Sequence, residues 1–226
     1  MSVLSPWIGG TRRLVGHVGQ SGLLFGPIRR AIVEPAAPAH DEAVRLLLCY
    51  YGKRAYQAGL IAGSCGNLSA RLRNRRYIYI TPRGANKARL RASEIRIADL
   101  EAPEHRLTDV SIEFPLHRAC YLAGSGIGAV IHTHAPALTA LGIREIDLEE
   151  VLPVAAASLG GVVRIPYHPE GSLELSEAAG AAVARGAKLL LLAHHGVVAI
   201  GRNLTEAFEL TEFGELTAKT ALLAVG

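Results

Sequence analysis

The sequence has too few cysteines for a disulfide framework or a zinc site made of thiolates. It contains three, Cys49, Cys65 and Cys120, an odd number in which no two stand in a Cys-x-x-Cys spacing. A reducing, cytoplasmic location therefore fits the chain better than an oxidising one. Each cysteine is expected to be a small core residue rather than a nucleophile.

Long apolar runs and a strong overall charge are also missing. Half of the 226 residues are apolar, but no apolar run approaches the roughly 18 to 20 residues that cross a bilayer. The net charge is +4, of which residues 1–38 supply +3 through four arginines and one glutamate, so the remainder carries only +1. The sequence therefore predicts no membrane segment and little affinity for nucleic acid.

The first 38 residues differ in composition from the rest. They hold six glycines and four prolines without sustained periodicity, which predicts a disordered basic extension over residues 1–38. From residue 39 to residue 226, patterns typical of strands and helices alternate without an internal repeat. This alternation predicts one α/β domain built in three layers.

Among the features that are present, the apolar stretch 129–135 (Ala-Val-Ile-His-Thr-His-Ala) is the most informative. It is typical of a buried strand, and His132 and His134 at its end point the same way because strand side chains alternate between faces. Two converging imidazoles suit a borderline metal such as zinc. The alternative is a pair of histidines satisfied by local hydrogen bonds.

A second predicted buried strand, residues 188–193, also ends in histidine, at His194 and His195. Since adjacent strand residues point to opposite faces, only one of these two is expected to join the first pair. Three imidazoles on a metal leave a position open for substrate, which is the catalytic arrangement.

Glu113 is the carboxylate that could complete such a site. A helix is predicted to start at about Ser111, which puts Glu113 in the first turn, where an acid also stabilises the helix dipole. Glu113 could therefore be a metal ligand, a base or only a helix-start residue. His117, one turn later, could be its partner or could simply pack against it.

Two turns rich in glycine could meet a ligand. In the first, Gly66 allows close backbone approach, and Asn67 and Ser69 offer side-chain hydrogen bonds. In the second, residues 81–84 (Thr-Pro-Arg-Gly) could present backbone N–H groups and the Arg83 guanidinium to an anion. The alternatives are an ordinary hairpin turn and a Pro-Gly turn with a solvated arginine.

Six short motifs follow one another along the sequence: G-N-L-S at 66–69, I-T-P-R-G at 80–84, S-I-E at 111–113, H-T-H at 132–134, P-Y at 166–167 and H-H-G at 194–196. In this combination the chain resembles the class II aldolase/adducin family, typified by L-fuculose-1-phosphate aldolase, over about residues 40–223. The resemblance implies a three-layer α/β/α fold with a central, mostly antiparallel sheet, and a homotetramer with sites near the subunit interfaces.

The same resemblance implies a chemistry. Zinc, one ion per subunit, or another divalent metal would be held by His132, His134 and His195. Glu113 would bind the metal and also donate and accept the proton, while His194 would have a supporting role. The implied reaction is the cleavage of a short sugar phosphate, or a related hydroxy-carbonyl acid, through a metal-stabilised enediolate.

By the same resemblance, the phosphate pocket comes from three pairs of residues: Gly66 and Asn67, Arg83 and Gly84, Ser111 and Ile112. The chain departs from the family pattern at Arg83 and Ile112, where small hydroxyl residues are usual. Arginine could instead grip phosphate or carboxylate with two hydrogen bonds. An anionic substrate is therefore still expected, without an identity.

A third departure concerns the reaction type. The aldolase uses a tyrosine from a neighbouring subunit, and the corresponding segment here is Val151-Leu152-Pro153; Tyr167 is the nearest candidate for a substitute. Decarboxylation, dehydration or epimerisation by the same site stays open, as does a non-catalytic assembly module like the adducin head. The four lysines, Lys53, Lys87, Lys188 and Lys219, show no special setting and no Schiff base is expected.

Overall fold

The structure is a computed structural model that describes residues 39–72, 75–101 and 109–226. The disordered extension predicted for residues 1–38 lies outside these ranges. The described strands are β1 Asn67–Arg71, β2 Tyr77–Ile80, β3 Arg96–Asp99, β4 Ala129–Thr133, β5 Val162–Ile165, β6 Leu189–Leu192 and β7 Gly196–Gly201. The described α-helices are α1 Ala39–Gln57, α2 Phe114–Ala123, α3 Pro136–Arg144, α4 Leu148–Val151, α5 Pro153–Ser158, α6 Leu173–Ala184 and α7 Leu204–Val225. Short 3-10 helices cover Lys87–Arg89 and Ala92–Glu94.

The strands form one sheet in the order β3-β2-β1-β4-β7-β6-β5. Every neighbouring pair is antiparallel except β5 and β6, which are parallel. The mostly antiparallel sheet expected from the family resemblance is therefore confirmed. Strand β4, which carries His132, is the central strand of the seven.

Helices cover both faces of the sheet, as the three-layer prediction requires. Alternate residues of the strands enter two separate cores: Ile131 of β4 packs with residues of α1, α3 and α7, whereas Val130 packs with residues of α2 and α6. Strand β6 is buried on both faces, with Leu189 and Leu191 in the first core and Leu190 in the second. The fully apolar run of β6 reflects this double burial.

Helix α2 begins later than predicted. Its first residue is Phe114, not a residue near Ser111, and Pro115 occupies the second position, where its missing N–H costs nothing. Residues 111–114 form a turn instead, closed by a 3.0 Å hydrogen bond from the N–H of Phe114 to the carbonyl of Ser111. Glu113 consequently precedes the helix and makes no side-chain cap hydrogen bond, so its carboxylate is available to the site.

The second histidine pair also differs in detail from the prediction. His194 and His195 lie in the turn between β6 and β7, not at the end of a strand. His194 has a φ of 58° in the left-handed region. The two rings therefore diverge because of turn geometry rather than strand alternation.

In the part of the chain that the structure describes, no helix combines the length and the apolar character needed to cross a membrane.

Candidate metal centre

His132 is the most deeply placed residue of the site. It lies on β4 directly opposite Asn67 of β1 and Val198 of β7, and its side chain is fully buried. Its Nδ1 is 3.0 Å from the carbonyl oxygen of Val197, which can only accept a hydrogen bond. The ring proton therefore sits on Nδ1, and Nε2 presents a lone pair to the site.

Two further imidazoles meet His132 at this point. The Nε2 atoms of His132 and His134 are 3.1 Å apart, and the ligand atoms of His132, His134 and His195 all lie within 4.8 Å of one another. The structure thus brings His195 to the pair. The ring of His194 lies instead 6.3 Å from that of Tyr167, which is 61% exposed.

Burial keeps the imidazoles of His132 and His134 neutral. Loss of solvation, followed by the nearby His195, lowers the pKa of His132 well below its ordinary value. The same two causes, in the same order, lower the pKa of His134. Neutral imidazole is the form that binds metal ions.

Glu113 completes the cluster and is only 2% exposed. Its Oε2 lies 3.2 Å from Nε2 of His132, and its Oε1 lies 3.4 Å from Nε2 of His195. Oε1 makes no hydrogen bond with any described residue. A buried carboxylate oxygen without a partner, facing imidazole nitrogens, is unfavourable unless a cation is shared among them. The four residues therefore fit a divalent metal ion.

A chain of buried hydrogen bonds holds Glu113 in place. Asn67 donates to its Oε2 at 2.7 Å and accepts from Nε2 of His117. Nδ1 of His117 then accepts from the Ser69 hydroxyl at 2.6 Å, and that hydroxyl in turn accepts from Tyr121 at 2.9 Å. Burial lowers the pKa of His117 to about 3, so this histidine stays neutral. Each hydrogen bond is therefore donated toward Glu113: from Tyr121 to Ser69, from Ser69 to His117, from His117 to Asn67 and from Asn67 to Glu113.

Two periodicities explain why these side chains meet. His117 and Tyr121 lie four residues apart on one side of α2, and Glu113 lies four residues before His117, in the turn that precedes the helix. Asn67 and Ser69 lie on one face of β1 because strand side chains alternate. His117 is thus connected to Glu113 through the side chain of Asn67 and not by a direct hydrogen bond. The sequence carried both spacings, but nothing in it showed that they face each other.

A cleft of about 390 Å³ opens onto this cluster, with Glu113 and His134 in its lining. All six residues expected from the three pairs of the predicted phosphate pocket line it: Gly66, Asn67, Arg83, Gly84, Ser111 and Ile112. The arrangement can bind an anion beside a metal. Glu170 and Lys87 also line the cleft, and neither was expected from the sequence.

Gly66 is required where β1 enters the site. Its φ is +69°, and a Cβ at this position would lie 2.7 Å from Cγ2 of Ile61 and 2.8 Å from the carbonyl oxygen of His132. Only glycine combines this backbone conformation with such close contact to β4. This contact sets Asn67 beside His132.

Lys87 is the largest departure from the sequence analysis, which expected no special setting for any lysine. Its side chain is buried, with the residue 2% exposed, and its Nζ donates to the carbonyl of Ser64 at 2.6 Å. Burial lowers its pKa to about 8. The expectation was wrong because nothing local to Lys87 predicts burial; it results from packing against helix α1.

Comparison with known proteins places the chain in a family. The family model described as Class II Aldolase and Adducin N-terminal domain matches residues 47–222. The chain belongs to this family. The resemblance stated from the six motifs is thereby confirmed.

Individual members are similar over most of their length. The chain is 34% identical over 164 residues to an L-fuculose phosphate aldolase of Methanococcus maripaludis, covering 73% of this chain and 87% of that protein. It is 33% identical over 184 residues to a 3-oxo-tetronate 4-phosphate decarboxylase of Haemophilus influenzae, covering 79% and 87%. A solved structure of an L-fuculose 1-phosphate aldolase superposes with a TM-score of 0.72 at 30% identity, covering 80% and 86%. These similarities support a lyase.

Proposed function

We propose that the protein is a metal-dependent carbon–carbon lyase, a class II aldolase that cleaves a short sugar phosphate or a related hydroxy-carbonyl acid. The observation that carries the proposal is the meeting of His132, His134 and His195 with the buried carboxylate of Glu113 at a cleft lined by anion-facing turns. The similarity to an L-fuculose phosphate aldolase supports the reaction type.

In this proposal His132, His134, His195 and Glu113 hold one Zn²⁺ per subunit, or another divalent ion. When bound, the metal supplies a Lewis acid that polarises the carbonyl and hydroxyl oxygens of the substrate. The donor set is right for this role, since three imidazoles and a carboxylate are the ligands that catalytic zinc sites use.

Glu113 is the residue proposed to move the proton. Its Oε2 is held by Asn67, whereas its Oε1 makes no hydrogen bond with the described residues. Oε1 is therefore the oxygen that can give a proton to the carbon released by bond cleavage, or remove it in the reverse direction. The burial of Glu113 keeps competing water away from this transfer.

The three turns of the cleft are proposed to hold the anionic end of the substrate. Arg83 can form two hydrogen bonds to a phosphate or carboxylate, and its side chain stands at the exposed rim. Gly84 and Ser111 add a backbone N–H and a hydroxyl. Fixing this end places the reacting carbons over Glu113.

A decarboxylase is the second candidate, because the chain is also 33% identical to a 3-oxo-tetronate 4-phosphate decarboxylase. Decarboxylation would use the same metal and the same proton donor, with loss of CO₂ instead of an aldehyde. The presence of all four candidate ligands argues against a non-catalytic adducin-like module. The family resemblance further supports a cytoplasmic homotetramer with sites near the subunit interfaces.

The test is a screen of sugar phosphates and sugar acids with the zinc-loaded protein, in which aldehyde, CO₂ and dehydrated product are scored separately. On the best substrate, Glu113→Gln should keep the fold and lower turnover by about 10²- to 10⁴-fold, the usual contribution of a general acid–base group. Glu177→Gln, at an exposed position of α6, is the matched control. Unchanged turnover in Glu113→Gln would remove this residue from the chemistry.

A further inference from the structure

Lys87 is a buried cation without a carboxylate partner among the described residues. Its exposed fraction is 2%, and the only hydrogen bond that its ammonium group makes to a described residue goes to the Ser64 carbonyl. A buried charge is costly unless an opposite charge compensates it. An ammonium group has three donors, so two remain for another partner.

The position of Lys87 indicates where that partner would be. Lys87 lines the same cleft as Gly66, Arg83 and Glu113. Burial is the main cause that lowers the pKa of Lys87, and the charge of Glu113 opposes it. Burial is also the main cause that lowers the pKa of His132, with a smaller contribution from Lys87. The cleft therefore contains one cation inside, at Lys87, and one at its rim, at Arg83.

The packing around Lys87 holds its side chain in a defined position. Lys87 begins a short 3-10 helix capped by Asn86, whose side chain accepts from the N–H of Ala88. On helix α1, Gly52 leaves room for it: a Cβ there would lie 3.3 Å from both the Cβ and the carbonyl oxygen of Lys87. The lysine stem is thus packed against the helix backbone at Gly52.

We propose that Lys87 is a specificity-determining residue that binds a phosphate-type dianion of the substrate from inside the cleft, together with Arg83 at the rim. The proposal rests on the proposed function for the identity of the substrate, but not for the presence of the anion site. Two cations match the charge of a dianion, and the turns at Gly66 and Gly84 add backbone donors. In the absence of the anion, the Ser64 carbonyl holds the ammonium group in position.

The competing explanation is that Lys87 only holds the loop at Ser64 in place through its hydrogen bond to the Ser64 carbonyl. Glutamine separates the two roles, because its amide can still donate to the Ser64 carbonyl but carries no charge. If this hydrogen bond is the whole role of Lys87, Lys87→Gln should bind phosphate as the wild type does. If charge matters, Lys87→Gln should behave like Lys87→Met, which keeps the packing against Gly52 and loses both functions.

The experiment is calorimetric titration of the purified, metal-loaded protein with inorganic phosphate, so that no turnover is needed. Both Lys87→Gln and Lys87→Met should weaken phosphate binding by about tenfold or more, the loss expected for a charge-assisted hydrogen bond in a buried site. Lys53→Met, at an exposed position of α1, should bind as the wild type does. Metal content and melting temperature measured on the same samples show that each variant is folded and loaded.

Three results would overturn the proposal: wild-type affinity in Lys87→Gln with loss only in Lys87→Met, wild-type affinity in both, or no phosphate binding by the wild type. Because binding is measured directly, a negative screen for aldolase activity would leave a positive result standing. Conversely, aldol cleavage with unchanged phosphate affinity in Lys87→Gln would support the proposed function and refute this site.

A second measurement works on the wild type even if both variants fail to fold. Sulfate remains a dianion over the range tested, whereas the pKa of Lys87 lies at about 8 through burial. Its ammonium charge is present below that value and lost above it, so sulfate affinity should fall from pH 7 to pH 9.5. Cys65, Glu113 and the imidazoles of His132 and His134 also interact with Lys87. A flat profile would assign anion binding to Arg83 alone and overturn the proposal.

Discussion

At the scale of single residues, the two carboxylate oxygens of Glu113 are not equivalent. Oε2 accepts from Asn67, whose amide cannot turn over because its own oxygen accepts from His117. Oε1 is buried without a hydrogen-bond partner among the described residues. The difference originates at the far end of the chain of hydrogen bonds, where Tyr121 and Ser69 set the tautomer of His117.

Ser69→Ala tests this chain without touching the candidate ligands. It leaves Nδ1 of His117 unpaired and removes the Ser69 acceptor of the Tyr121 hydroxyl, which should lower the free energy of unfolding by about 1–3 kcal/mol. It should also lower kcat by about tenfold at unchanged metal content, because Glu113 loses its fixed orientation. Urea unfolding, kinetics and metal analysis measure the three effects.

Ser176→Ala is the control for this prediction, since Ser176 is also buried and its hydroxyl bonds only within its own helix region, to the Ser172 carbonyl. It should lower stability and leave kcat unchanged. An unaffected kcat in Ser69→Ala would mean that the chain stabilises the fold without positioning Glu113.

At the scale of elements, the site forms where several chain segments end together. His132 and Asn67 face each other across β4 and β1, His195 enters from the turn between β6 and β7, and Glu113 comes from the turn before α2. Gly66 brings β1 close to β4, since a Cβ at this position would lie 2.8 Å from the carbonyl oxygen of His132. The relative position of β1 and β4 therefore controls where Asn67 holds Glu113 relative to His132.

Gly66→Ala should disturb both stability and metal binding. The added methyl group has no room beside Ile61 and His132, and the φ of +69° strains any residue other than glycine. We expect a loss of more than about 3 kcal/mol in the free energy of unfolding, beyond the 1–3 kcal/mol of backbone strain alone. Urea unfolding and metal affinity are the measurements.

Gly63→Ala provides the matched comparison. Gly63 also has a positive φ, +55°, but a Cβ there would meet nothing within 4 Å. It should show only the strain and keep wild-type metal affinity. Equal losses in the two variants would mean that contact between β1 and β4 at Gly66 is unimportant.

At the scale of the whole molecule, a bound metal would join segments that lie far apart in the sequence. The candidate ligands belong to segments at positions 113, 132–134 and 195, which the fold brings within a few bond lengths of one another. A ligand that binds only the folded state stabilises it by mass action, about 2.7 kcal/mol at a concentration one hundred times its dissociation constant. Metal binding and global stability should therefore be coupled.

Metal analysis should find about one divalent ion per chain, and chelation should lower the melting temperature by about 5–10 °C, the shift that such a stabilisation gives in a domain of this size. His134→Ala should lose most of the metal and melt at the chelated temperature. His168→Ala, in the loop before α6, should keep the metal. Full metal content in His134→Ala would refute the ligand assignment.

Local patterns in the sequence determined much of the architecture. The strands Tyr77–Ile80 and Val162–Ile165 coincide with short runs rich in β-branched and aromatic residues, and the last helix begins directly after Asn203, whose side chain caps it. The histidine pairs and the ordered motifs also indicated a metal site and a family. Each of these patterns involves residues within a few positions of one another, so it can be recognised in the sequence alone.

Only the tertiary structure decided which side chains meet. The burial of Lys87 depends on Gly52 of a helix 35 positions away in the sequence, and the link from His117 to Glu113 depends on Asn67 of strand β1. Such contacts follow from strand register and helix packing, in which residues far apart in sequence are brought together. Composition and spacing show which chemical groups are present. The burial and the partners that decide the charge and the role of each group are properties of the folded chain.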